Sequence, residues 1–334
     1  MNNKKAPDKL SPPGLIASLA SGFNAVTNNI KIILIPILVD LLLWFGPQVG
    51  LKSLLLPVLN QSSQVLKTLN NPEVNDLIVF NNDLWKGILE NFNLLSLLRT
   101  FPIGVPSLLA GRSIKANPLD FYFPVEIKSF GVAALAFILI GLIGILAGSY
   151  FFRQVSLISS QNKNANETPA FVDTYAQSIL LSILIYVICT LVFIPLVILI
   201  TFISALNTSF VQIGVILLIL FLIWLLMPLL FSPHGIYTSS LNAFRSILTS
   251  IKMIRFFLPG TGIFLLAAIT ITQGLDILWQ IPGEESWMLL IGIAGHAFIT
   301  TSLFTASFIY YRGGLKWMQE SIQRMSKLQE SKLL

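Results

Sequence analysis

The chain has 334 residues, 54% hydrophobic and 11% charged, with a net charge of +6 and a mean hydropathy of +0.79. An average soluble domain carries roughly 25% charged residues, so the polar skin that water-soluble domains of this length require is missing, and the composition excludes them. One cysteine, Cys189, and two histidines, His234 and His296, exclude a disulfide framework and a thiolate or His-rich metal site.

In chain order, Lys4, Lys5 and Lys9 make a basic start, and the strong apolar run begins near Lys31. That run is too long for the core of a cleaved signal and lacks a small-x-small cleavage site, so it reads as a retained first span. Before it, Leu15, Leu19, Phe23 and Val26 form one stripe of an amphipathic helix. A spanning helix needs about 20 mostly apolar residues. Six segments meet this: 32–56 with a Gly46-Pro47 break, 129–152, 178–206 interrupted by Pro195, 210–231, 258–280 and 286–311. The fold expected is all-α and integral to a membrane: a six-helix bundle with interfacial amphipathic helices. Its parts are a cytoplasmic segment (1–31), a membrane domain (32–311) and a cytoplasmic amphipathic tail (312–334).

The connection 57–128 is the largest region between spans, rich in Asn and Pro, and reads as an extracytoplasmic lid. Trp85, Ile88, Leu89, Phe92 and Leu95 fit an amphipathic helix on its surface. The stretch 94–110 reads as a surface helix followed by a loop, with a re-entrant hairpin as the alternative. In the connection before the fifth span, Leu241, Phe244, Leu248 and Ile251 recur at helical steps, while Arg245 and Lys252 lie on other faces. With Arg255 they suit a basic helix lying on anionic headgroups. A second helix entering a span through a proline (Pro36, then Pro259) makes a weak internal repeat. Small residues at Gly144 and Gly148 have the spacing of close helix contact, within one copy or in a homodimer.

Six spans put both ends on one side. With both ends cytoplasmic, 14 of 21 Lys and Arg lie in cytoplasmic segments, and the other seven lie between Lys52 and Lys128. The positive-inside rule therefore favours a cell-membrane protein with both termini in the cytoplasm. The same distribution accounts for the basic charge without a nucleic-acid partner.

Ionisable groups inside spans are the candidate polar site, because each costs roughly 2.5–3.5 kcal/mol at mid-helix unless it faces the bundle interior. Asp40 shares a helix face with Pro36 and Trp44. His296 falls at a similar depth, which invites a pair, either proton-titrating or structural. Thr272, Asp276 and Gln280 fall at steps of four on the fifth span, as a polar end beneath the lid or the mouth of a cavity. Reaction motifs are wanting: Glu284-Glu285 is followed by Leu289 where a glutamate-type membrane protease has arginine, Asp40 is the only central aspartate, and no phosphate-binding loop or zinc-protease motif occurs.

Two stretches carry a resemblance. Gly22-Phe23-Asn24-Ala25-Val26-Thr27-Asn28-Asn29 leads into Ile35-Pro36-Ile37-Leu38, and Ser240-Leu241-Asn242-Ala243-Phe244-Arg245-Ser246 precedes another span. They resemble uncharacterised bacterial multi-pass membrane families, including the membrane domain found beside some glycerophosphodiester phosphodiesterases. The resemblance implies interfacial helices that precede proline-containing spans. It implies no phosphodiesterase activity and transfers no catalytic residues. The function expected is a non-enzymatic scaffold, accessory subunit or lipid-contacting module without cofactor. Its partners would be membrane lipids and another membrane protein or a second copy. The alternative is a small-solute or proton-coupled transporter using Asp40 and His296.

Overall fold

In a computed structural model of the chain, the residues described are 11–67, 72–112, 114–160, 170–206 and 209–333. The basic start at Lys4, Lys5 and Lys9, and Lys163, lie outside them. Helices dominate: α1 (Leu15–Thr27), α2 (Leu34–Phe45), α3 (Lys52–Lys67), α4 (Pro72–Glu90), α5 (Phe130–Ile158), α6 (Phe171–Leu206), α7 (Ser209–Leu230), α8 (Ser232–Ser239), α9 (Ala243–Phe256), α10 (Leu258–Trp279) and α11 (Leu289–Leu333). Two short strands, β1 (Gln48–Gly50) and β2 (Pro124–Glu126), pair in parallel.

Five helical segments are long and apolar enough to cross a membrane: Phe130–Ile158, Phe171–Leu199, Ile213–Ser239, Leu258–Trp279 and Leu289–Ser331. A sixth exists if α1 and Ile30–Phe45, bent by 91° at their junction, count as one broken span. Ile216, Leu217 and Leu220 of α7 are each more than half exposed. Apolar surface of this extent is what lipid, not water, accommodates. Pro195 stays inside α6, as spanning helices permit.

Three boundaries differ from the sequence reading. The first apolar run is not one helix over 32–56. Pro47 disfavours helical geometry at Gly46 (φ −82°, ψ −179°), so α2 stops at Phe45, and Leu51 to Leu56 belong to β1's exit and α3. The sixth span and the tail are one helix, with no break at 311. Gly313 and Gly314 keep their helical backbone and serve close packing, since a Cβ on Gly313 would sit 3.2 Å from Pro13 and one on Gly314 3.1 Å from the Met253 sulfur. Finally, 94–110 does run as a short helix followed by a loop, but it is largely buried and not on the surface. It is a short 3-10 turn (Leu94–Arg99) and an irregular loop, with Leu94, Ile103, Val105 and Leu109 almost wholly buried.

The chain forms two compact units: unit 1 comprises Met1–Ile30, Phe152–Ile271 and Thr301–Leu334, and unit 2 comprises Lys31–Phe151 and Thr272–Thr300. In unit 1, Phe231, Phe264, Tyr310, Tyr311 and Met253 form a buried cluster with Leu15 and Leu19 of α1 against it. Gly22 lets α1 rest on α11, because any Cβ there would meet Ser302 O and Ala306 N at 2.6 Å. Helix α9 forms where periodicity predicts it, with Asn242 accepting from Arg245 N as its N-cap. Its buried face, however, is Ala243, Ser246, Ile247, Ser250, Met253 and Ile254. Ser250 Oγ donates to Pro228 O at 2.6 Å, and Ser246 Oγ donates to Ser232 O. The serines dock the helix, which leaves Phe244 and Leu248 outward with the basic residues.

In unit 2, α3 and α4 pack side by side, with Ser63 Oγ donating to Asn82 Oδ1 at 2.7 Å and Lys52 paired to Glu90 at 2.8 Å. Asn93 then ties the chain down, its Oδ1 accepting from Val49 N and Leu95 N.

Candidate functional site

Unit 2 holds all five residues of the expected polar site. Asp40 sits on α2 with Pro36 and Trp44, and all three are buried. A carboxylate in an apolar helix finds no donors among its own neighbours, because the backbone N–H groups there are committed to the helix. Its donors come from the buried loop. Ser107 Oγ donates to Asp40 Oδ1 at 2.5 Å, Leu109 N to Oδ1 at 3.0 Å and Leu108 N to Oδ2 at 3.1 Å. The Ser107 hydroxyl in turn accepts from Ala110 N at 2.9 Å. Buried backbone amides need acceptors, and Asp40 supplies them for two amides and a hydroxyl that would otherwise be stranded.

The loop is seated from the other side by α5. A Cβ on Gly144 would lie 2.6 Å from Leu97 O, and one on Gly148 would lie 2.7 Å from Gly104 Cα. The G-x-x-x-G spacing therefore admits the 94–110 segment within the same unit.

His296 does not hydrogen-bond Asp40, although it lies within electrostatic range of it. Its partner is Asp276: His296 Nδ1 and Asp276 Oδ1 are 2.6 Å apart, with the side chains 4% and 18% exposed. The imidazole N–H donates to the carboxylate, and His296 Nε2 is buried with no hydrogen-bond partner. One turn on, Gln280 Oε1 accepts from Arg112 of the loop. Trp279, between them in sequence, closes on Gly292 and Gly295 of α11. Thr272 lies at the start of the same polar row on α10. The structure thus sorts four of the five residues into an Asp276–His296 pair, a Gln280–Arg112 contact and a separate Asp40–loop cluster.

Arg112 and Ser107 were not legible as site residues. The weak signal for Ser107 was a hydroxyl beside proline in an apolar stretch, and only the fold brings it 67 positions back to Asp40.

In unit 1, Arg245, Lys252 and Arg255 are all exposed on α9. Arg255 also lies over the Trp224 ring, 5.5 Å from its centroid. Arg312 is engaged by neutral groups: it donates to Ser159 Oγ at 2.5 Å, Ser156 Oγ at 2.9 Å and Ser156 O at 3.0 Å. His234 is buried on α8, with Nε2 2.8 Å from Ser307 Oγ and its ring against Phe308. The Ser232-Pro233-His234-Gly235 stretch opens this helix and is not a loop. Among the described residues no group of three or more His, Cys, Asp or Glu is arranged to hold a metal ion.

No family model, no curated protein and no solved structure matches the chain.

Proposed function

We propose that the chain crosses the cell membrane six times with both ends in the cytoplasm and works as a lipid-contacting scaffold without catalytic activity. The observation that carries this reading is the outward face of α9. Phe244 is 62% exposed and Leu248 41%, and they stand beside exposed Arg245, Lys252 and Arg255. Apolar side chains for the acyl boundary with cations for anionic headgroups are the composition of a helix at the membrane surface. Support for the orientation comes from charge. In unit 1, which contains every cytoplasmic connection of this topology except Lys31, Lys and Arg outnumber Asp and Glu thirteen to five, whereas unit 2 has eight against ten.

Lipid analysis of the protein purified in mild detergent tests the reading. Anionic phospholipid should be enriched over its share of the membrane. Replacing Arg245, Lys252 and Arg255 by Gln should weaken that enrichment roughly a hundredfold in affinity, at about 1 kcal/mol per cation. Co-purified lipid of bulk composition, unchanged in the triple variant, would remove the basis for the proposal.

One observation favours a second reading, a proton-coupled carrier: the part-buried Asp276–His296 pair, in which the buried His296 Nε2 has no hydrogen-bond partner. Asp40 suits that role less well, since its oxygens are occupied by three donors. Asp276→Asn should abolish pH-driven uptake in proteoliposomes if this reading holds, and persistent uptake would exclude the pair as the proton site.

A further inference from the structure

Between the lid helices and α5, the chain makes a short projection whose side chains face outward. Leu119 is 62% exposed, Phe121 59%, Tyr122 49% and Phe123 52%. Four large apolar or aromatic residues in five positions, interrupted only by Asp120, would be a liability in water. They do not form a floppy loop. Asn117 is buried, and its Oδ1 accepts from Leu119 N at 3.0 Å and from Phe121 N at 3.2 Å, while its Nδ2 donates to Phe121 O. Asp120 takes the left-handed conformation the turn requires (φ 52°), which Asp tolerates better than most residues. The rings of Phe121 and Phe123 are parallel, with centroids 6.3 Å apart.

The base of the projection is fixed to helix ends. Gln48 N, three residues past the end of α2, donates to Phe123 O at 2.9 Å, and β1 pairs with β2 immediately beyond. Four residues after β2, α5 begins at Phe130, which is itself 60% exposed. At the same end of α2, Trp44 and Phe45 contact Trp287 of the α10–α11 turn, with centroids 6.1 and 6.0 Å away. Trp287 is 53% exposed. Aromatic side chains thus gather where α2 ends, α5 starts and α10 turns into α11. Rings with an apolar body and a polar tip concentrate at the headgroup level of a bilayer.

We infer that residues 119–123 are a preformed membrane anchor whose rings occupy the headgroup–acyl boundary beside the start of α5. The occupant of this surface is lipid, because seven residues past Phe123 the chain enters α5, a helix long and apolar enough to cross a membrane, whose Phe130, Val132 and Leu135 are likewise more than half exposed. The inference rests on α5 residing in the membrane and is independent of the scaffold reading. With Trp287 it marks one edge of the hydrocarbon core on unit 2.

Depth-dependent quenching tests it. Cys189→Ala provides a cysteine-free background, since Cys189 is the only cysteine. Tyr122→Cys, and Ser331→Cys as an exposed reference, are labelled with an environment-sensitive fluorophore and reconstituted in phosphatidylcholine–phosphatidylglycerol vesicles. The label at 122 should be quenched several-fold more by lipid carrying a spin label near the headgroup than by aqueous iodide, with the reverse at 331. Equal iodide quenching at both positions would overturn the inference. Shielding of position 122 from both quenchers would also overturn it, because that outcome means the surface is covered by protein, either a partner or a second copy.

Discussion

Replacing Asp40 by Leu removes the acceptor of Leu108 N, Leu109 N and the Ser107 hydroxyl while keeping an apolar side chain in α2. Each donor left unpaired in a buried site costs about 1–3 kcal/mol, and bulk solvent does not reach these donors, since Ser107, Leu108 and Leu109 are 1%, 4% and 1% exposed. Counting the two amides alone, the closed form of the loop should lose about 2–6 kcal/mol relative to the open one. This corresponds to a local opening equilibrium shifted roughly 30- to 20,000-fold toward the open form. Hydrogen–deuterium exchange in detergent or nanodiscs reads it directly: the amides of Leu108 and Leu109 should be among the best protected outside the helices in the wild type and should lose that protection in Asp40→Leu. Asp40→Asn, which keeps one carbonyl acceptor, should fall between the two. Unchanged exchange at 108–109 in Asp40→Leu, with an unchanged Tm, would refute the assignment of Asp40 as the clamp of this loop.

The glycines of α5 form a graded series: a Cβ on Gly141 meets nothing within 4 Å, whereas those on Gly144 and Gly148 collide with the loop backbone. Gly144→Ala and Gly148→Ala should each cost about 1–3 kcal/mol of overpacking, and Gly141→Ala should not lower the Tm; equal losses at all three would contradict the loop seat. A double-mutant cycle on Asp276→Asn and His296→Gln should give a coupling energy of about 0.5–3 kcal/mol, and the Asp40→Asn cycle with His296→Gln a smaller one. The Lys52 ammonium holds the Glu90 carboxyl below its ordinary value of 4.5. The attraction is therefore fully present above pH 4.5 and fades as pH falls through the lower folded value. Both groups are exposed, so the effect should be small and abolished by salt: the Tm difference between wild type and Glu90→Gln seen at pH 7 in low salt should vanish in acid or in molar salt.

The long apolar runs were legible because spanning requires only length and composition, and α5, α6, α7 and α10 lie close to where those runs predict. What the sequence obscured came from long-range packing. Gly46-Pro47 was visible as a break, yet hydropathy carried the span across it, because Leu51 and Leu54 to Leu56 are as greasy as the residues before. The outward position of Phe244 on α9 fits the interfacial reading, but the helix's docking through Ser246 and Ser250 to the carbonyls of Ser232 and Pro228 carried no signal in the sequence. Asp40 was recognisable as costly, and the need for a partner followed from that cost. The partner's identity did not, since Ser107 and the amides beside it carry no local signature. Depth pairs His296 with Asp40, whereas its neighbour is Asp276, twenty residues earlier in the polar row of α10. Depth alone does not specify which helices touch.

The topology is tested most directly by labelling single-cysteine variants, in the Cys189→Ala background, with a membrane-impermeant maleimide in oriented vesicles. Position 331 should react only when the cytoplasmic face is accessible, a cysteine added at the N-terminus should behave identically, and a cysteine at Ser62 should react only from the opposite face. Labelling of the two ends from opposite faces, or of position 62 from the same face as both, would contradict a chain that crosses six times with its ends in the cytoplasm.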